Sequence, residues 1–120
     1  MRIAITLLAL AALAAPAHAQ SMTGAGVEGN WGCRANIDGT RAGLLTIYAG
    51  SYGYASANYG STASGSGTAE MASNGVTFLD GNLVAGAGIV TAILGFDEDG
   101  KDVLLLNTAD KNVLTCRPRT

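Results

Sequence analysis

GIVTAILGFDEDGKDVLLLNTADKNVLTCR, residues 88–117, is three short apolar runs cut by two polar turns. In the first run Val90, Ala92, Leu94 and Phe96 fall on one side of a two-residue alternation, the spacing of a pleated strand with one face in a core. Leu114 and Cys116 repeat that pattern in the third run. Asp99-Gly100 and Asp110-Lys111 separate the runs, and an Asp-Gly pair suits a turn that needs positive φ. Three strands joined by tight turns read as an antiparallel meander.

The same pattern continues toward the N-terminus. Strands are expected over 29–35, 41–49, 52–57, 67–72, 76–79, 88–96, 102–107 and 112–117, with turn pairs at Asp38-Gly39, Gly50-Ser51, Asn74-Gly75 and Asp80-Gly81. Almost nothing reads as a helix. Leu45 with Ile47 and Val76 with Phe78 join the expected core. Leu44-Leu45 and Val103-Leu104-Leu105-Leu106 are apolar on both faces, so one side of each needs cover from a loop, a tail or a partner.

Residues 1–19 carry one early cation, Arg2, then an apolar run, then Ala17-His18-Ala19 before Gln20, the layout of a secretory signal peptide that is removed at a small-x-small site. The run is short for a transmembrane span, and Gln20 is no lipid-bearing cysteine. A periplasmic or secreted protein with no transmembrane span is expected, with 20–28 as a flexible segment and 29–120 as one domain. In that compartment Cys33 and Cys116 are expected to form a disulfide, two unpaired thiols being the alternative. A bridge between the first and last strands closes the meander into an all-β antiparallel barrel of about eight short strands, and both sheet edges vanish.

The chain's single histidine, His18, lies in the leader. From Gln20 onward no histidine is left for acid-base work, metal ligation or a Ser-His pair, so no enzyme and no cofactor are expected. Six cations face nine carboxylates there, a net charge of −3. That balance argues against nucleic acid, which demands a basic stripe.

Gly29-Asn30-Trp31, at the start of the first strand, resembles the Gly-x-Trp opening of lipocalin-type (calycin-type) barrels. The resemblance implies that Trp31 plugs one end of the barrel and that Arg117 or Arg119 covers it. A first-strand cysteine joined to a last-strand cysteine is similar to the layout of small periplasmic lysozyme-inhibitor barrels, and secreted bacterial metalloprotease inhibitors share the short form. The lysozyme-inhibitor Ser-Gly-x-x-Tyr loop is not reproduced, since Ser64-Gly65 and Ser66-Gly67 have no tyrosine three positions after the glycine. No inhibitory residue is carried over.

Two segments are candidate sites. Residues 49–75 hold six glycines, six serines, six alanines and three tyrosines against one charge, Glu70. Tyr52, Tyr54 and Tyr59 are candidate partner-binding residues, because exposed tyrosines beside glycine and serine give contact area at low entropic cost. Tyr52 and Tyr54 share a strand face, which is also a core pattern. The second segment is the acidic turn, where Asp97, Asp99 and Asp102 supply hard oxygens of the kind calcium takes. Position twelve of an EF-hand counted from Asp97 is Thr108 rather than glutamate, so no metal is assigned, and a charged hairpin turn explains the run.

Three functions fit this reading. The first is a binding or inhibitor-like module acting on a protein or other envelope macromolecule through the 49–75 segment. The second is a carrier of a small apolar ligand inside the barrel. The third is an envelope protein that self-associates through Leu44 or the 103–106 strand.

Overall fold

A computed structural model describes residues 25–58 and 60–119; the leader over 1–19, the start of the 20–28 segment and Tyr59 lie outside the described residues. Eight strands follow one another around a closed barrel, each antiparallel to its neighbours: β1 (Gly29–Ala35), β2 (Arg41–Tyr48), β3 (Ser51–Ser56), β4 (Gly65–Ala72), β5 (Gly75–Phe78), β6 (Thr91–Phe96), β7 (Asp102–Asn107) and β8 (Asn112–Pro118). A 3-10 turn (Ala25–Val27) precedes β1, and a short helix α1 (Asn82–Ala87) joins β5 to β6.

The seam between β1 and β8 is continuous from Trp31 opposite Pro118 to Ala35 opposite Leu114. Within it Cys33 and Cys116 stand directly across from each other and are disulfide-bonded. Both sulfurs point inward, and both residues are fully buried. At the far end of the seam the Asn36 side chain bonds Asn112 and accepts from the Thr115 hydroxyl, which continues the clasp outside the ladder.

Alternation along the strands sets the interior. Leu45 and Ile47, Val76 and Phe78, Ala92, Leu104, Leu106 and Cys116 fill it as the pleat requires. Phe96 departs from the expected core. It is 72% exposed, because β6 ends there and the side chain lies beyond the rim of the barrel. Val90 and Leu114 are half-buried rather than central.

The barrel has two different ends. The turns 48–51, 72–75 and 96–102 mark one, here the tryptophan end. There Trp31 is buried and its indole N–H donates to the Val27 carbonyl at 2.9 Å. Val27 is itself 1% exposed, so the last part of the segment expected to be flexible is a packed stopper. The turns 35–41, 56–65, 78–91 and 107–112 mark the other, the helix end.

α1 corrects the expectation that residues 88–96 form one strand, and it is the short exception to a chain in which almost nothing was expected to be helical. Its sequence Asn-Leu-Val-Ala-Gly-Ala is too short to show a helical period, and only Leu83 is buried. Gly88 ends it in the left-handed region at φ 70°, with its N–H on the Leu83 and Val84 carbonyls, and β6 starts only at Thr91.

On the outside, Leu44 is 43% exposed and stays uncovered. Val103 is buried although it faces outward. The register sets Arg117 beside it, and from there the guanidinium reaches Asp97, so the alkyl stem crosses over Val103.

Bridging residues 83 positions apart removes about 4 to 5 kcal/mol of unfolded-chain entropy in the loop-closure picture. The paired replacement Cys33→Ala with Cys116→Ala is therefore expected to lower stability by several kcal/mol in urea unfolding. An unchanged midpoint would mean that the strand seam closes the barrel without the bridge.

Candidate functional site

β2, β3 and β4 build the wall of the barrel from tyrosine and glycine instead of branched aliphatics. Tyr52 lies opposite Gly67 and Tyr54 opposite Gly65 across β3 and β4. The Tyr54 ring also leans along its strand over Gly43 of β2, where a Cβ would come within 2.6 Å of the phenol oxygen and 2.5 Å of the Ala55 carbonyl. Each ring thus covers the place where a neighbouring glycine has no side chain.

The two tyrosines are 3% and 7% exposed, which corrects their assignment as a surface for a partner. Pleat parity explains it. Both belong to the inward set with Leu45, which stands opposite Tyr54, and Ile47, which stands opposite Tyr52.

Their hydroxyls differ. That of Tyr52 donates to the Asp80 carbonyl at 2.8 Å and accepts the Leu83 N–H at 3.0 Å, which ties the start of α1 to the barrel wall. Asp80 in turn accepts from the Thr68 amide and hydroxyl. α1 is further held by Asn82, whose side chain donates to the Thr62 carbonyl, and by Gly86, where any Cβ would run into that same carbonyl. Tyr52 is therefore a fastening for the helix. The Tyr54 hydroxyl has no hydrogen-bond partner among the described residues, and burial alone raises its pKa.

Tyr54 faces a cup of about 320 Å³ at the helix end. Its walls are Ala35 and Ala42, Val113 and Leu114, Ala63, and Leu83 with Ile89 from the helix segment. Its polar lining is Thr40, Arg41, Ser56, Asn58 and Thr108 beside Tyr54. The cup reaches solvent past Arg41 and Ala87, both exposed. Its volume lies at the small end of the range for ligand pockets, and apolar walls with a few convergent polar groups are what such pockets have.

The other candidates do not assemble. Asp97 spends one carboxylate oxygen on the Asp99 and Lys101 amides of its own turn and the other on Arg117 at 2.8 Å. Those bonds, with the Lys101 amide foremost, hold its pKa below the ordinary carboxylate value. Among the described residues no three His, Cys, Asp or Glu side chains come together to hold a metal, so Asp97, Asp99 and Asp102 form no calcium cage. The open depression of about 760 Å³ beside this turn is walled by charged groups of the turn, with Asp97 and Arg117 already engaged with each other.

At the tryptophan end the cover over the indole is Val27. Arg117 is committed to Asp97, while Arg119 lies outside against Gly32, sharing a small surface pocket with Asn30, Trp31, Leu44 and Thr46.

Arg41, Ser56, Leu83 and Ile89 were not among the residues the sequence singled out. They come from separate segments, and no spacing links them. The one signal was the tyrosine-glycine alternation of β3, read there as surface.

No protein-family model matches the chain, and neither the curated proteins nor the solved structures contain a match to it. No helix among the described residues is long and apolar enough to cross a membrane. The disulfide is compatible with a non-cytoplasmic protein.

Two measurements check the wall. Gly43→Ala is expected to lose about 1 to 3 kcal/mol in urea unfolding, the usual range for overpacking; wild-type stability would show that no ring lies over Gly43. Burial raises the pKa values of Tyr52 and Tyr54. The unfolded chain then ionises first, and stability falls as pH rises past about 10. Replacing both tyrosines with phenylalanine should flatten that alkaline limb, and a limb of unchanged slope would contradict the burial.

Proposed function

We propose that this protein is an exported, non-enzymatic barrel that binds a small, largely apolar molecule in the cup at its helix end. The observation that carries the reading is the Tyr54 hydroxyl, buried, without a partner among the described residues, and set in the wall of a cavity that is open to solvent and lined by apolar side chains with a few polar groups. An unpaired buried hydroxyl is destabilising by about 1 to 3 kcal/mol, and a ligand that supplies its bond recovers that free energy. Such a group marks where a guest's polar atom belongs.

The competing readings lose support by comparison. Capture of an envelope macromolecule rested on exposed tyrosines, and two of the three line the interior. Self-association has Leu44 on β2 and the outward pair Ile93 and Leu105 on β6 and β7, with β1 and β8 between them. Export rests on the leader pattern of residues 1–19 and agrees with the disulfide.

A neutral apolar fluorophore tests the cup. N-phenyl-1-naphthylamine is expected to bind the purified protein saturably, one per chain, with enhanced emission. Ala87→Trp places a large ring across the mouth at an exposed helix position, so it should abolish binding and leave the melting temperature nearly unchanged. Absence of saturable binding, or equal binding by the variant, would overturn the proposal.

A further inference from the structure

The charge of the cup is opposite to that of the chain around it. From Gln20 onward the protein is net acidic, yet among the described residues the one ionisable side chain in the lining besides Tyr54 is a cation, Arg41, and no carboxylate lines the cavity. Among the described residues Arg41 has no ion-pair partner. Asp38, in the adjoining turn, has its Oδ1 on the Thr40 amide and hydroxyl, and Arg34, across the strand pair from Arg41, donates to the Gly39 carbonyl.

The donors are also close to one another. Tyr54 carries its hydroxyl over Gly43, and Gly43 lies two residues along β2 from Arg41. Two residues of a strand span about 7 Å, within the reach of an arginine side chain, so guanidinium and phenol can meet on one guest group. Ser56 stands opposite Gly43 on β3, and its hydroxyl oxygen accepts from the Asn58 amide while its proton is donated to no partner among the described residues. Three donors therefore line a cavity whose other walls are mostly apolar, with Thr40, Asn58 and Thr108 as the remaining polar groups.

Resting on the ligand-binding reading above, we infer that the guest is an amphiphile with a carboxylate head, its head held at the rim by Arg41, Tyr54 and Ser56 and its short apolar tail directed toward Leu83, Ile89 and Leu114. A single planar guanidinium matches a carboxylate in shape and in charge. A doubly charged phosphate head would leave one charge unmatched among neutral hydroxyls. The interior volume suits a short chain or a compact ring system.

Displacement of the neutral fluorophore by three probes of one tail length separates the claims. Decanoate is expected to displace it at least tenfold more tightly than 1-decanol, and decylammonium more weakly than either. Arg41→Gln should weaken decanoate about tenfold or more, as loss of a charge-assisted bond does, and both Arg41→Gln and Tyr54→Phe should narrow the preference for decanoate over 1-decanol measured on the same variant, with the melting temperature of each reporting that it is folded. Decanoate no tighter than decanol, a preference for decylammonium, or variants that keep the acid preference would overturn the carboxylate assignment while the cup stands. Failure of the fluorophore to bind the wild-type protein would overturn both. Dodecyl phosphate tighter than the matched dodecanoate would replace carboxylate by phosphate and so reject the inference as stated.

Discussion

The pairing of β1 with β8 is the constraint on which the other contacts depend. A meander of eight short strands left open would expose two ladders of unpaired amides and carbonyls and could not enclose its apolar faces. The seam removes both edges at once, and the Cys33–Cys116 bridge sits in its middle, buried on the inside, where it also serves as core. β1 is the hub of this closure. Two residues before the cysteine it carries Trp31, whose indole draws in Val27 and seals one end, so closure of the wall and closure of the floor belong to one strand.

The barrel is filled by two different chemistries. Around β6, β7 and β8 the interior is aliphatic, with Ala92, Leu104 and Leu106 packed at full burial. Around β2, β3 and β4 it is tyrosine laid over glycine. Each ring occupies space that a neighbouring glycine leaves vacant, and the cup at the helix end is walled by Tyr54 together with the small side chains of Ala35, Ala42 and Ala63. The same tyrosines bring polar atoms indoors, and their fates differ because only one meets the backbone of α1. Tyr52 finds the Leu83 amide and the Asp80 carbonyl, and Tyr54, one inward step further along β3, finds none among the described residues.

Much of the fold was legible in the chain. Alternation at Leu45-Ile47 and Val76-Phe78 located strands and their inner faces, the run 102–107 located a strand without showing which side faces in, and the turn pairs marked most of the hairpins. The extreme positions of the cysteines implied closure. The helix was not legible, because six residues with two small glycine-flanked turns carry no period that a sequence can show. Phe96 misled for a related reason. It keeps the inward parity of its strand and still pairs with Asp102 of β7, but it stands past the last residue that pairs with β5, and parity alone does not say where a barrel stops. Residues 49–75 misled in the opposite direction, since a tyrosine-glycine alternation reads equally as a contact surface or as the inside of a wall.

What the sequence by itself determined was the set of local preferences: strand periods, turn chemistry, the absence of histidine from Gln20 onward, and a pair of cysteines able to join the ends. These are properties of neighbours in the chain, so they survive without knowledge of the fold. What only the tertiary structure decided was which face of β3 is inside, which hydroxyl finds a partner, and that Arg41, Tyr54 and Ser56 share one rim with Leu83 and Ile89 beneath it. Those facts depend on the register across β2, β3 and β4 and on where α1 lands. Both are set by packing between residues far apart in the chain, an energy that no local pattern encodes.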